Sequence, residues 1–209
     1  MMTTTNILKS SDIKPIDFEA TFKEMKDHGM TLPVSRITVS VKDAHTVLYN
    51  AMKFFLCKVG SEMVWIDEYE QVSDWLENSK GRGLLLFGNS GRGKSVLCRY
   101  ALPAVILKYC GKVVHCHDIQ TMNALIDEAL AYPLVSLDDI GTEDESVSYG
   151  NRRMAFAEIM DNSEKTGKLV IASTNLDKEG LEKKYGIRVM DRIIGTMTRV
   201  CFNGKSFRK

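Results

Sequence analysis

An α/β fold built on a parallel sheet is what the residue order predicts, on three observations. From about Gly60 onward, apolar runs of strand length alternate with stretches of helical periodicity. A Gly-x-x-x-x-Gly-Lys-Ser loop, Gly88 to Ser95, joins the first of those runs to the helix after it. Two later apolar runs end abruptly in polar residues, Asp138-Asp139 and Ser173-Thr174-Asn175, at the carboxyl ends of strands where a parallel sheet places its ligand crevice.

The 209 residues suffice for one ordinary domain and an appendage, and a net charge of +1 excludes a global electrostatic argument for nucleic acid. Residues 1 to 15 are loose and polar. Asp17 to His28 carries Phe18, Phe22 and Met25 at helical spacing and stops at Gly29. Asp43 to Val59 is a second amphipathic helix, ended by Gly60. These two helices either pack on the core or present an apolar face to another protein, and they set a domain division at 1–60 and 61–209. The acidic stretch Glu62, Asp67, Glu68, Glu70, Asp74 and Glu77 reads as a solvated face, and the C-terminal end is basic.

The expected strands are Gly83 to Phe87, Lys112 to His117, Leu134 to Leu137, Lys168 to Ser173 and Thr198 to Phe202. A helix from Ser95 to Cys110 follows the first, with a kink expected at Pro103. Alternation along the second strand puts His115 and His117 on one face and Cys116 on the other, which does not favour a metal site. Five cysteines without a Cys-x-x-Cys pair fit buried thiols in a reducing cytoplasm. No apolar run reaches the length of a membrane span, and the N-terminus lacks the pattern of a signal peptide.

The loop carries the chemistry. Gly88, Gly91 and Gly93 permit positive φ, so the backbone N–H groups of Gly88, Asn89, Ser90, Gly91, Arg92 and Gly93 can converge on phosphate oxygens. Lys94 adds a charge to the same phosphates, and Ser95 can ligate the Mg²⁺ that bridges them. Neighbouring carboxylates at a strand end point in different directions, so Asp138 can hold Mg²⁺ while Asp139 polarises the attacking water. Asn175 offers a neutral amide to the γ-phosphate or the water. Arg188 and Arg192 stand four apart on one helical face, as guanidinium groups serving phosphoryl transfer from a neighbouring subunit would.

The order Gly-Asn-Ser-Gly-Arg-Gly-Lys-Ser, Leu-Asp-Asp-Ile-Gly, Ser-Thr-Asn-Leu, Tyr-Gly-Ile-Arg-Val-Met-Asp-Arg-Ile and a terminal Gly-Lys-Ser-Phe-Arg resembles the AAA+ bacterial helicase loaders of the DnaC and DnaI type and the related IstB-like transposition helpers, over residues 76 to 209. The resemblance implies a five-stranded sheet ordered 5-1-4-3-2, an ATPase that uses ATP and Mg²⁺ and self-associates with ATP, and delivery of a hexameric replicative helicase to DNA. It implies Asn175 as sensor 1, Arg192 as an arginine finger acting in trans, and Arg208 as a further basic position near the nucleotide. The N-terminal segment is then expected to bind the helicase. The segment from Asp118 to Leu137 is shorter than in the loaders, so single-stranded DNA binding is expected to be weak. Asp161-Asn162-Ser163 stands where the family often has an arginine, and the chain ends near Arg208 with no C-terminal lid. An IstB-like transposition helper, a P-loop small-molecule kinase and a nucleotide-gated binding protein are the alternatives.

Overall fold

The computed structural model describes residues 16–30, 32, 34–119, 126–143, 146–148 and 151–207. Arg208 lies outside them. The chain divides into two units, Met1–Val34 and Ser35–Lys209. The first contains α1 (Glu19–Asp27), whose start is fixed by the Asp17 carboxylate accepting from the Glu19 N–H and which buries none of its own residues. The second unit begins ahead of α2 (Ala44–Lys58), whereas the two N-terminal helices set the expected division at 1–60 and 61–209.

Five parallel strands form the sheet, in the order β2 (His115–Asp118), β3 (Leu134–Asp138), β6 (Leu169–Ser173), β1 (Gly83–Gly88), β7 (Met197–Phe202). Counting sheet strands alone, this is the expected 5-1-4-3-2. A separate antiparallel pair, β4 (Ser146–Ser148) and β5 (Asn151–Arg153), lies between β3 and β6 in sequence. The period of two along β1 builds a core on each side of the sheet. Leu84 and Leu86 join Leu48, Met52, Val72 and Leu76 on one face, while Leu85 joins Val135, Phe156, Ile159 and Ile193 on the other. α2 is therefore part of the core, because Leu48, Met52 and Leu56 recur at helical spacing and are buried there.

The acidic stretch is α3 (Asp67–Glu77), and it is not wholly solvated. Tyr69, Val72, Trp75 and Leu76 face the core, and Glu68 is buried in an ion pair with Arg92, while the other acids of the helix remain exposed. Charge density along the sequence concealed the apolar stripe beneath.

Pro103 acts through a local change of helical register. α4 (Lys94–Val96) passes through a π-helical turn at Leu97–Ala101 into α5 (Leu102–Cys110). The Leu102 N–H reaches back to the Leu97 carbonyl, and Pro103 has no N–H to offer. The Cys98 carbonyl accepts instead from the Ser136 hydroxyl at 2.8 Å. β3 thus satisfies a backbone group that the proline leaves open.

Between β3 and α9 (Ile187–Thr196) runs a second framework. α6 (Ile126–Ala131), α7 (Ala155–Thr166) and α8 (Lys178–Tyr185) complete the helices. Buried Glu143 accepts from the Tyr185 hydroxyl and from the Gly141 N–H at 2.7 Å, tying the loop after β3 to the turn between α8 and α9. His115 and His117 both stack on Tyr132, on the same face of β2 as expected. Among the described residues no group of three or more histidine, cysteine or acidic side chains is placed to hold a metal by itself, and no helix is long and apolar enough to cross a membrane.

Candidate nucleotide site

A cleft of about 610 Å³ opens at the carboxyl ends of β1, β3 and β6. Gly88, Gly91 and Gly93 all have positive φ, at 109°, 72° and 84°. Gly93 is required twice over, since a Cβ there would also lie 2.2 Å from the Tyr69 hydroxyl. Ser90, Gly91, Gly93, Lys94 and Ser95 line one side of the cleft; Asp138, Asp139 and Asn175 line the other. Leu56, Val59, Tyr69 and Phe207 add an apolar wall. Burial pushes the Tyr69 hydroxyl up to about 12, so it stays a donor, and it bonds the Arg92 carbonyl at 3.0 Å.

Lys94 Nζ donates to the carbonyls of Gly88 (2.9 Å) and Asn89 (2.7 Å) and to Asn175 Oδ1 (3.0 Å). Asn175 Nδ2 in turn donates to Asp139 Oδ1 at 3.0 Å. Only one orientation of the amide serves both neighbours, accepting from the ammonium and donating to the carboxylate. Three residues far apart in sequence thus form one chain of hydrogen bonds along the cleft lining.

The adjacent carboxylates have different surroundings. Asp138 is buried; its Oδ1 accepts from the Ser173 hydroxyl and its Oδ2 from Arg99 Nε at 2.5 Å. Asp139 is partly exposed and sits at φ 61°, a left-handed conformation uncommon for a residue other than glycine. Its N–H donates to Ser173 Oγ at 3.1 Å and its carbonyl accepts from Thr142 Oγ1 at 2.8 Å, which hold that conformation. Burial, and then the like charges of Asp138 and Asp118, raise the Asp139 carboxyl above the usual carboxylate range against the pull of Lys94 and Arg99. A raised carboxyl is a better proton acceptor than an ordinary one.

Arg92 was expected to serve phosphate through its backbone N–H as part of the loop, and its side chain is engaged away from the cleft. It pairs with buried Glu68 at 2.8 Å, bonds the Lys205 carbonyl at 3.1 Å and lies over the Phe207 ring. Glu68 also accepts from the Asn203 N–H, and the Phe207 N–H bonds the Gly91 carbonyl at 2.9 Å. Asn89 Nδ2 donates to the Gly204 carbonyl. Arg92, Glu68 and Asn89 therefore fasten the segment after β7 onto the outside of the loop, leaving Arg92 only its backbone for the loop itself.

Arg192 lies outside the cleft. It pairs with Asp161 at 2.8 Å and with Glu164 at 2.9 Å, carboxylates of α7 in the same chain. Arg188 is more exposed and makes one long contact, 3.5 Å, to Asp161. Three site residues escaped the sequence reading: Ser173, Asp118 and Arg99. Arg99 lies four residues after Ser95 and Asp118 ends the second strand, positions that spacing shows, whereas their partnership with Asp138 comes from strand register.

An oxygen-rich cleft with the Ser95 hydroxyl and the carboxylates of Asp138 and Asp139 suits Mg²⁺, which takes one or two carboxylates and completes its shell with phosphate and water.

A parallel sheet of this order, with the Gly-x-x-x-x-Gly-Lys-Ser loop after β1 and polar residues ending β3 and β6, is an α/β fold of P-loop type. Neither a family profile nor a curated protein matches the chain. Solved structures do: DnaI, with a TM-score of 0.53 and 18% identity over 78% of this chain and 96% of that one, is similar in fold. The DnaC helicase loader aligns at a TM-score of 0.48 and 23% identity over 59% of this chain and 79% of that one. AMPPCP-bound DnaA from Aquifex aeolicus aligns at 0.49 and 18% over 69% of this chain and 50% of that one.

Proposed function

We propose that this chain binds ATP with Mg²⁺ at the cleft, hydrolyses it, and uses the cycle to assist DNA replication by loading a replicative helicase. The observation that carries the reading is the hydrogen-bonded chain Lys94–Asn175–Asp139 beside a loop whose three glycines have positive φ. Lys94 and the loop N–H groups bind the phosphates; Asn175 orients the water; Asp139 accepts its proton. Ser95 and Asp138 would hold the cation, whose charge offsets that of the phosphates. The apolar wall of Leu56, Val59 and Phe207 suits a base.

The partner reading is that of a helicase loader. The N-terminal segment, in which Phe18 and Phe22 are exposed, would contact the helicase. Single-stranded DNA would bind weakly and with strong salt dependence. Arg192 would act on a neighbour's nucleotide after ATP-driven self-association in the cytoplasm, exchanging Asp161 and Glu164 for phosphate. Phosphate release from ATP, measured with and without single-stranded DNA, a replicative helicase and small-molecule phosphoryl acceptors, tests the reading. Release without acceptor modification supports it, and transfer to an acceptor would replace it with a kinase.

A further inference from the structure

Arg99 bridges two carboxylates on adjacent strands. Its Nε donates to Asp138 Oδ2 at 2.5 Å and its Nη2 to Asp118 Oδ2 at 2.6 Å. Asp118 and Asp138 are paired in the register of β2 and β3, both at the carboxyl ends, so without a cation between them they would repel. The Ser173 hydroxyl occupies the other oxygen of Asp138. Both oxygens of the carboxylate that would hold Mg²⁺ are thus engaged, one of them by a fixed positive charge.

We propose that Arg99 is a gate on the metal site: it competes with Mg²⁺ for Asp138 and yields by moving its guanidinium wholly onto Asp118. The inference rests on the reading of the cleft as an ATP·Mg²⁺ site. Two cations on one buried carboxylate repel each other, and the Ser173 hydroxyl, being neutral, opposes neither. The bridge is asymmetric in the way a gate requires. The Asp138 side chain is 4% exposed, whereas those of Asp118 and Arg99 are 37% and 39% exposed. Arg99 therefore has a solvated anchor to retreat to, and withdrawing from Asp138 keeps one ion pair intact. It stands in the π-helical turn, where the backbone departs from regular helical register beside the cleft. The consequence is a Mg²⁺ threshold: nucleotide is held by Lys94 and the loop at low Mg²⁺, but the metal-dependent increment in affinity appears only when Mg²⁺ outcompetes the guanidinium.

The test is the binding of a fluorescent ATP analogue to the full chain, titrated with Mg²⁺, with circular dichroism confirming each variant's fold. Arg99→Met should move the Mg²⁺ midpoint to lower concentration by roughly tenfold or more, the size of a lost charge-assisted hydrogen bond in competition. Asp118→Asn, which removes the retreat, should move the midpoint upward. In the Arg99→Met background, Asp118→Asn should raise the midpoint by less than it does in the wild type, because the retreat it removes is no longer in use. If Arg99→Met fails to fold, Arg99→Lys keeps the charge without the planar fork and should shift the midpoint downward by less. An unmoved or raised midpoint in the folded Arg99 variant overturns the gate while wild-type nucleotide binding stands. A wild-type chain that binds no nucleotide overturns the ATP reading, and the gate with it.

Discussion

Two clusters of charge stand on this molecule, and they differ in what surrounds them. At the strand ends, Lys94, Asn175, Asp139, Asp138 and Arg99 are joined by short directed bonds along the wall of a cleft. On the α7–α9 face, Arg188 and Arg192 meet Asp161 and Glu164 near the surface, with the Glu164 side chain 54% exposed. The residue types are the same. The strand-end groups are fixed by backbone geometry and partly shielded from water, so their charges act on one another and on a ligand at low screening. On the helix face the carboxylates of Asp161 and Glu164 are 36% and 54% exposed although Arg192 is 11% exposed, so water screens these pairs from the carboxylate side.

Variants of the two clusters can break this contrast. Lys94→Ala should have the largest effect, abolishing measurable hydrolysis and weakening ATP binding in a titration, because among the described residues no other lysine lines the cleft. Arg192→Ala comes next: ATP binding should remain near normal while phosphate release falls by roughly 10³-fold, since the missing charge acts in the transition state. Mixing it with Lys94→Ala protein should restore part of the rate through interfaces that pair an intact loop with an intact Arg192. Mixtures shown to co-assemble but lacking rescue would return Arg192 to a purely structural pair.

Glu68→Ala probes the buried pair behind the loop. It strands Arg92 and removes the acceptor of the Asn203 N–H, and should lower unfolding free energy by about 3 kcal/mol in denaturant melts. Asp139→Asn should cut the hydrolytic rate by roughly 10² while leaving nucleotide affinity nearly unchanged. The wild-type rate should also fall with acidification at a pH above the usual carboxylate range. Asp139 must be deprotonated to accept a proton, and burial with Asp138 and Asp118 raises the pH at which it protonates. A limb at the ordinary aspartate value would remove it as the base. The smallest effect belongs to Glu164→Gln, whose exposed pair should change stability by less than about 1 kcal/mol. A loss as large as that of Glu68→Ala would mean that the helix-face pair is held as tightly as a buried one.

Much of the site was legible because its parts obey local rules. Gly88, Gly91, Gly93 and Lys94 follow the Gly-x-x-x-x-Gly-Lys-Ser spacing, whose three glycines have the positive φ it calls for, and Asp139 and Asn175 each end an apolar run. Arg99 was not legible in the same way. Its role depends on Asp118 and Asp138 lying side by side in register, a pairing between strands that linear spacing does not contain. Glu68 was misjudged for a related reason: within a run of acids nothing marks the one that a distant arginine will bury.

The sequence by itself determined the alternation of strands and helices, the loop and its positive-φ glycines, and which strand ends would carry polar groups. These follow from periodicity and backbone sterics within a few residues. The tertiary structure alone decided that α2 belongs to the core and that Arg92 turns away from the cleft to fasten the segment after β7. It alone decided that Arg99 bridges two aspartates and that Arg192 is paired within its own chain. Each of those outcomes is a choice among partners far apart in sequence, made by burial and by the Coulomb energy of charges that only folding brings together.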